Sequence, residues 1–242
     1  MEGLRVMLKY EKIAADLRRD IIGGKYQPGE QLALEKEMCE QYKVSRITIK
    51  RAVDALVSQG LVVKRRGSGT FIKSLKDEDV KELGMANQFS GFAATYHDRD
   101  VQTDVMKFEI VHPDESVAAR LQITTEDFIY DIIRVRKLEG IPVVIEYTKM
   151  PIQLIPGIRK GILEDSIYTY IEGTLKLRIQ SAHRTIKADM PTEAERKLLQ
   201  IDEILPILEV EQVAFLDDGL PFEYSVSRHR GDRNVFRSVS IR

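Results

Sequence analysis

Hydrophobic residues follow a helical repeat in the first quarter of the chain. Over residues 46–59, four apolar side chains recur at i, i+3, i+4 and i+7: Ile49, Ala52, Val53 and Leu56. This spacing predicts a helix with one buried face and one basic face. Further helical patterns cover residues 9–22 and 35–42, and a turn at residues 43–45 precedes the last helix. This order of elements predicts a helix-turn-helix unit.

A short hairpin follows the helix-turn-helix unit. Two strand-like runs, residues 61–66 and 70–73, flank the tripeptide Gly67-Ser68-Gly69. Glycine adopts positive φ without steric cost, so this tripeptide predicts a tight turn. We interpret the hairpin as a wing with a cationic side, because one of its strands contains Lys64, Arg65 and Arg66.

Strand patterns dominate beyond residue 89. Seven runs are strand-like: 101–111, 128–138, 143–150, 177–188, 207–215, 222–229 and 235–241. Short helical patterns lie between them at residues 115–121, 167–173 and 192–199. Tight turns around Gly140, Gly219 and Gly231 join neighbouring strands as hairpins. The pattern therefore predicts an antiparallel sheet with helices packed on it.

The two patterns define two predicted domains of an α+β protein. Residues 1–75 form a winged helix-turn-helix domain, and residues 89–242 form the antiparallel sheet domain. The segment between them, residues 76–88, is charged and poor in large apolar side chains, which is typical of a linker.

Charge divides the chain in the same place. Residues 1–75 contain fifteen Lys or Arg and nine Asp or Glu, a net charge of +6. The remaining residues contain 22 and 29, a net charge of −7. A basic first domain and an acidic second domain indicate a DNA-binding unit joined to a unit with another role. A general nucleoid-binding protein would be basic throughout, which disfavours that class.

The composition also limits cofactors and location. Cys39 is the only cysteine, so the chain has no disulfide of its own and no thiolate metal site. No apolar run approaches the roughly 20 residues that span a bilayer, and the four histidines share no metal-ligand spacing. We expect a cytoplasmic protein without metal, cofactor or membrane segment.

The residues around the predicted wing carry a family resemblance. The run VSRITIKRAVDALVSQG, followed by LVVKRRGSGTFIK, resembles the winged-helix domain of the GntR family of bacterial transcription regulators. Ala33-Leu34 replaces the family's Pro-Ser helix cap, Lys43 replaces the glycine of the turn, and Lys50 replaces an arginine. The resemblance implies that seven residues contact DNA: Lys36, Ser45, Arg46, Thr48, Lys50, Gly67 and Gly69. For Lys36, the role of an ordinary solvated cation is the open alternative.

Residues 89–242 resemble the effector-binding domain of the HutC subfamily, whose fold is similar to that of chorismate lyase. The motifs that carry this resemblance include Ile133-Arg134-Val135-Arg136, Ser166-Ile167-Tyr168 and Pro221-Phe222-Glu223-Tyr224. The resemblance implies that an anionic group is held by Arg134, Arg136, Ser166 and Tyr168. It assigns the hydroxyl-bearing part of the ligand to Glu146 and Glu223. The predicted site also includes Ser90 and His229, and His229 stands where the subfamily commonly has tyrosine.

Strand geometry gives part of this site independently. Arg134 and Arg136 are two residues apart, so their side chains project from one face of the sheet, and two arginines on one face require an anion. If the turn at Gly140 spans an odd number of residues, Glu146 lies opposite Arg134 on that face. The pair could then be a plain cross-strand ion pair, and Ser166 could be a helix N-cap. The sequence leaves these alternatives open.

These features are compatible with three functions. The first is a ligand-responsive transcription regulator, a repressor that binds a palindromic operator as a homodimer and responds to a small anionic effector, with a sugar phosphate as the leading candidate. The second is an enzyme of chorismate-lyase-like fold acting on a small carboxylate, although no catalytic residue pair supports it. The third is the nucleoid-binding protein that the charge distribution disfavours. The sequence favours the regulator.

Overall fold

The structure is a computed structural model that describes residues 8–73, 92, 96, 99–202 and 204–236. The chain forms two compact units: residues 8–73 belong to one and residues 99–235 to the other. The predicted linker and Ser90 lie outside the described residues. Within the described part of the chain, no helix is both long enough and apolar enough to cross a membrane.

The first unit contains three helices and a two-stranded hairpin. In chain order these are α1 (Lys9–Ile22), α2 (Glu35–Tyr42), α3 (Arg46–Ser58), β1 (Val62–Arg65) and β2 (Gly69–Ile72). The apolar stripe of α3 is fully buried and packs with side chains from α1 and α2, including Ile13, Leu17 and Met38. The buried stripe fixes the orientation of α3, because the polar residues between its members must then face away from the core.

The turn between α2 and α3 is built by local hydrogen bonds. Ser45 is the N-cap of α3, and its side chain accepts a hydrogen bond from the Thr48 N–H at 3.3 Å. Lys43 adopts the left-handed conformation, with φ of 51°, at the position where the family resemblance implies glycine. At the start of α2 the Leu34 side chain cannot accept a hydrogen bond. Only the reverse contact is present, from the Leu34 N–H to Glu37 Oε2 at 2.9 Å.

Over residues 99–202 and 204–235, the second unit contains a six-stranded antiparallel sheet and four short helices. The strands are β3 (Val101–Val111), β4 (Ile129–Leu138), β5 (Ile141–Pro151), β6 (Ile179–Asp189), β7 (Ile207–Leu216) and β8 (Pro221–Arg230). The helices are α4 (Glu115–Leu121), α5 (Lys160–Glu164), α6 (Ile167–Gly173) and α7 (Glu193–Leu199). The strand order across the sheet is β3-β4-β5-β8-β7-β6, with every neighbouring pair antiparallel.

Both faces of the sheet are covered. On one face, α5 and α6 pack on β4, with Leu163, Ile167 and Ile171 in the same buried cluster as Tyr130 and Ile132. On the other face, α7 and α4 contribute two smaller clusters, which contain Val135 and Ile129 respectively. Residues 130, 132, 134 and 136 of β4 therefore share the face that α5 and α6 cover.

The observed elements confirm the predicted fold class and correct some details. Strand β5 begins at Ile141, two residues before its predicted start, because the hairpin turn at residues 139–140 is tight. The sequence pattern did not indicate α5, whose five residues are too few to show a helical period. Of the strand predicted over 235–241, Val235 and Phe236 are described and are not in a strand; the other residues lie outside the described part.

Candidate functional site

The N-terminal part of α3, together with its cap Ser45, contains four of the seven residues that the sequence assigned to DNA. Arg46 is the first residue of the helix and its side chain is 82% exposed. Lys50 lies one turn further along the exposed side, whereas Thr48 is partly covered and shares a 2.9 Å hydrogen bond with the Ser45 hydroxyl. Ile47 is 69% exposed beside them. A helix end with exposed cations of this kind fits the DNA major groove.

A concave surface joins this helix end to the wing. We call it the cationic groove; its volume is about 830 Å³ and its charged lining residues include Lys36, Arg46, Arg65 and Arg66, with one carboxylate from Glu35. Lys36 therefore lies beside the predicted DNA-contacting residues. With Lys64, five cations line this concavity and form a surface that attracts a phosphate backbone.

The wing turn depends on its two glycines. Gly67 and Gly69 have φ of 77° and 120°, which other residues rarely adopt. Gln31 Nε2 donates a hydrogen bond to the Ser68 carbonyl at 2.9 Å, and a Cβ on Gly69 would collide with that amide. The backbone of the wing tip is thus held in one conformation, and two of its three residues have no side chain.

In the second unit, Arg134 and Glu146 are paired as the sequence suggested. They are register partners on β4 and β5, and Arg134 Nη2 lies 2.7 Å from Glu146 Oε2. The turn itself contains two residues. A β-bulge leaves Val143 unpaired, which adds one residue between the two strands' paired positions. The number of residues between Arg134 and Glu146 is therefore odd, and the two side chains lie on the same face. Burial opposes ionisation of Glu146, but Arg134 and Arg136 outweigh it and lower the pKa of this carboxyl.

Arg136 is a buried cation without a carboxylate partner. Its exposure is 2%, and it donates to the Asp165 carbonyl at 3.3 Å and lies 5.0 Å from the Phe92 ring centroid. Across the residues that the structure describes, no carboxylate lies within 4.0 Å of its guanidinium, and its Nε has no hydrogen-bond partner. Burial lowers the pKa of Arg136. An isolated buried charge is costly, so this position is suited to an anion from outside the chain.

The C-terminal end of α5 and the residue that follows it face these arginines. Arg134 Nη1 donates to the Leu163 carbonyl at 3.1 Å, so both arginines bind main-chain oxygens within residues 163–165. Ser166 follows as the N-cap of α6, and its hydroxyl oxygen accepts from the Thr169 N–H at 3.2 Å. Ser166 therefore has the capping role that the sequence offered as the alternative, at a position next to Asp165.

A second polar group on the same face includes residues that the sequence did not single out. Ser225 Oγ and Gln212 Nε2 both donate to Glu223 Oε1, at 2.7 Å and 2.9 Å. Gln212 Nε2 also lies 3.2 Å from the Tyr168 hydroxyl, and Gln212 Oε1 accepts from Arg184 Nε at 2.7 Å. Burial raises the pKa of both Glu223 and Tyr168. The resemblance had already assigned Tyr168 and Glu223 to the ligand, whereas Gln212, Ser225 and Arg184 were missed by the sequence reasoning.

His229 lies on β8 near Glu146 and is neutral at physiological pH. Burial lowers its pKa to about 4. Its Nδ1 is buried and makes no hydrogen bond to any residue that the structure describes. Of the predicted effector residues, seven therefore lie on or beside one face of the sheet, and Ser90 is outside the described part of the chain.

Together the two units define a winged-helix transcription regulator with a separate ligand-binding domain. Comparison with known proteins gives the family. Residues 9–72 match the family described as "Bacterial regulatory proteins, gntR family", and residues 97–234 match the UTRA domain. The chain belongs to the GntR family and has a UTRA domain as its second unit.

Similar proteins share both units. The HTH-type transcriptional regulator GmuR of Bacillus subtilis is 41% identical, over 98% of this chain and 100% of its own. The mannosyl-D-glycerate transport/metabolism system repressor MngR of Escherichia coli is 33% identical, over 96% of each chain. A crystal structure of the regulator YydK from B. subtilis has a TM-score of 0.76 at 25% identity, covering 97% of this chain and 100% of that one.

A solved effector-binding domain is also similar to the second unit. The trehalose repressor TreR domain of B. subtilis is 35% identical with a TM-score of 0.53, and it covers 58% of this chain and 98% of its own. These relatives are regulators or repressors, which excludes the enzyme alternative and confirms the coarser interpretation, a transcription regulator of the GntR family with an effector-binding domain.

Proposed function

We propose that the protein is a repressor that releases its operator when a sugar phosphate binds to the second unit. The observation that carries the ligand class is Arg136, a cation that is 2% exposed and lacks a carboxylate partner among the described residues. A phosphate supplies the missing negative charge and can accept from several guanidinium N–H groups at once. Arg134 is already paired with Glu146, so the two arginines together retain one uncompensated positive charge.

The rest of the face suits a polyhydroxylated ligand body. Gln212, Glu223, Ser225 and Tyr168 form a hydrogen-bonded group on the same side of the sheet as the arginines. Such groups exchange partners readily with sugar hydroxyls. The names of two relatives support a carbohydrate effector, since one regulates a mannosyl-D-glycerate system and the other is a trehalose repressor.

For the first unit, we propose that Arg46 and Lys50 reach base edges while Ser45 and Thr48 bind phosphate, with the wing backbone at Gly67 and Gly69 close to the minor groove. Two copies of the chain would read inverted half-sites about one helical turn apart. The cationic groove supports this assignment, because its lining includes both the N-terminal end of α3 and the wing.

The test is DNA binding by the full chain with and without candidate effectors. Fluorescence anisotropy would measure binding to a duplex that the protein selects from a random-sequence pool, at fixed salt. Glucose 6-phosphate and mannose 6-phosphate are the probes, and glucose, mannose and inorganic phosphate are the controls.

Arg136→Met tests the proposed ligand contact separately from DNA binding. The variant should bind the selected duplex as tightly as wild type and lose its response to the sugar phosphates. Lys137→Met is the matched control, because it removes a cation from the next position of β4, where Lys137 pairs with Asp104 at 2.5 Å. A sugar-phosphate response that survives in Arg136→Met would disprove the proposed role of Arg136.

A further inference from the structure

One carboxylate interrupts the cations of the cationic groove. Glu35 is the first residue of α2, and its Oε2 accepts a hydrogen bond from Arg46 Nε at 2.8 Å. The Arg46 side chain is 82% exposed, whereas that of Glu35 is 31% exposed. The contact therefore joins the N-terminus of α2 to the outermost cation at the N-terminus of α3.

The stability of the fold does not explain this pair. Exposed ion pairs contribute little to stability because solvent screens them and both side chains lose freedom. Arg46 also stands at the helix end where backbone N–H groups already carry positive charge, and the first turn of α3 has no acidic residue. A cation at this position disfavours the helix, so its placement is explained by a partner outside the chain.

The contact leaves the outer edge of the Arg46 guanidinium, which carries Nη1 and Nη2, available for a base. Glu35 occupies the Nε side of the guanidinium, and Nη1 and Nη2 make no hydrogen bond to the residues that the structure describes. These two groups form the fork that matches the O6 and N7 acceptors of guanine in the major groove. Because one side of the planar group is fixed, the direction of the fork is restricted before DNA arrives.

We propose that Glu35 is a specificity-determining positioning residue, which holds Arg46 so that its Nη1 and Nη2 groups face a base pair rather than a phosphate. This inference rests on the proposed base contact of Arg46. A second effect follows from the charge of Glu35, which opposes phosphate contact nearby and so weakens binding to DNA of any sequence. Two substitutions of Glu35 separate the effect of its position from the effect of its charge.

Glu35→Gln removes the charge, whereas Glu35→Asp keeps the charge and withdraws the carboxylate by one methylene. The control is Glu40→Gln, which removes a negative charge from an exposed position of the same helix. The measurement is the ratio of dissociation constants for a scrambled duplex and for the duplex that the full-length wild type selects from a random pool. Far-UV circular dichroism and the thermal midpoint verify folding of each variant.

We expect both Glu35 variants to lose about tenfold in this ratio, as for the loss of one bidentate base contact. Glu40→Gln should stay within twofold of wild type. Single base-pair changes in the selected duplex should show the same affected position for Glu35→Gln and Arg46→Ala. The double variant should discriminate no less than Arg46→Ala alone, because Glu35 acts through Arg46.

Two results would overturn the positioning role: a wild-type ratio in Glu35→Asp, which would leave only a charge effect, or a wild-type ratio in Glu35→Gln. Failure of the underlying DNA proposal has a different signature. In that case the wild type selects no duplex, or Arg46→Ala retains full discrimination.

Discussion

Replacing Arg136 should stabilise the protein while removing its response to effector. The guanidinium is 2% exposed, and among the described residues its direct contacts are one hydrogen bond to the Asp165 carbonyl and one aromatic contact with Phe92. The charge of Glu146 also attracts it, but that carboxylate is already paired with Arg134. The two direct contacts contribute roughly 1 kcal/mol each, whereas burying an unpaired ion costs several kcal/mol. Methionine has a similar length and no charge, so Arg136→Met should raise the free energy of unfolding by about 1–2 kcal/mol.

Arg134→Met provides the opposite result on the same strand. Arg134 lies 2.7 Å from Glu146, and its removal leaves that buried carboxylate without its direct partner. Breaking a buried pair in this way costs about 3 kcal/mol or more. Replacing Arg136 should therefore stabilise the protein, whereas replacing Arg134, two residues away on the same face of β4, should destabilise it.

Urea unfolding of the full chain at pH 7 and without effector measures both variants. The thermal midpoint is a second measure of stability. It should change by about 3 °C for each kcal/mol in a domain of this size, upward for Arg136→Met and downward for Arg134→Met. The reasoning is refuted if Arg136→Met is destabilised to the same degree as Arg134→Met. In that case Arg136 would be a structural member of the ion-pair network instead of a ligand residue.

Two further predictions concern the backbone of the DNA-binding unit and the pH dependence of the second unit. Lys43 has φ of 51°, so Lys43→Gly should relieve left-handed strain and stabilise the first unit by about 0.5–1 kcal/mol; an unchanged or lower thermal midpoint would contradict this. Burial lowers the pKa of His229 to about 4, so as the pH falls below about 6.5 the unfolded state takes up the proton first. The free energy of unfolding should then fall by up to about 1.4 kcal/mol per pH unit down to about pH 4, and His229→Gln should remove this component. Urea unfolding of both proteins at several pH values checks the difference, and parallel pH curves would refute it.

Local patterns determined the elements and their faces. The i, i+3, i+4 repeat of Ile49, Ala52 and Val53 predicted α3 because a helix repeats every 3.6 residues whatever surrounds it. Alternation likewise put Arg134 and Arg136 on one face of a strand. These features are properties of a single segment, so the sequence alone could predict them.

Contacts between segments needed the tertiary structure. Glu146 lies opposite Arg134 only because a bulge at Val143 shifts the register, and no local signal in the hairpin marks that bulge. Gln212 reaches Glu223 because β7 and β8 are paired, and Arg184 reaches Gln212 from the neighbouring β6.

The same division applies to α3. Sequence spacing showed that Arg46 points away from the core of α3, because the buried stripe fixes that direction. The position of Glu35 beside it follows from the packing of α2 against α3 and from the left-handed turn at Lys43. The sequence by itself determined which side chains face outward. Only the tertiary structure decided which of them meet, since hydrogen-bond register and helix packing join residues that are distant along the chain.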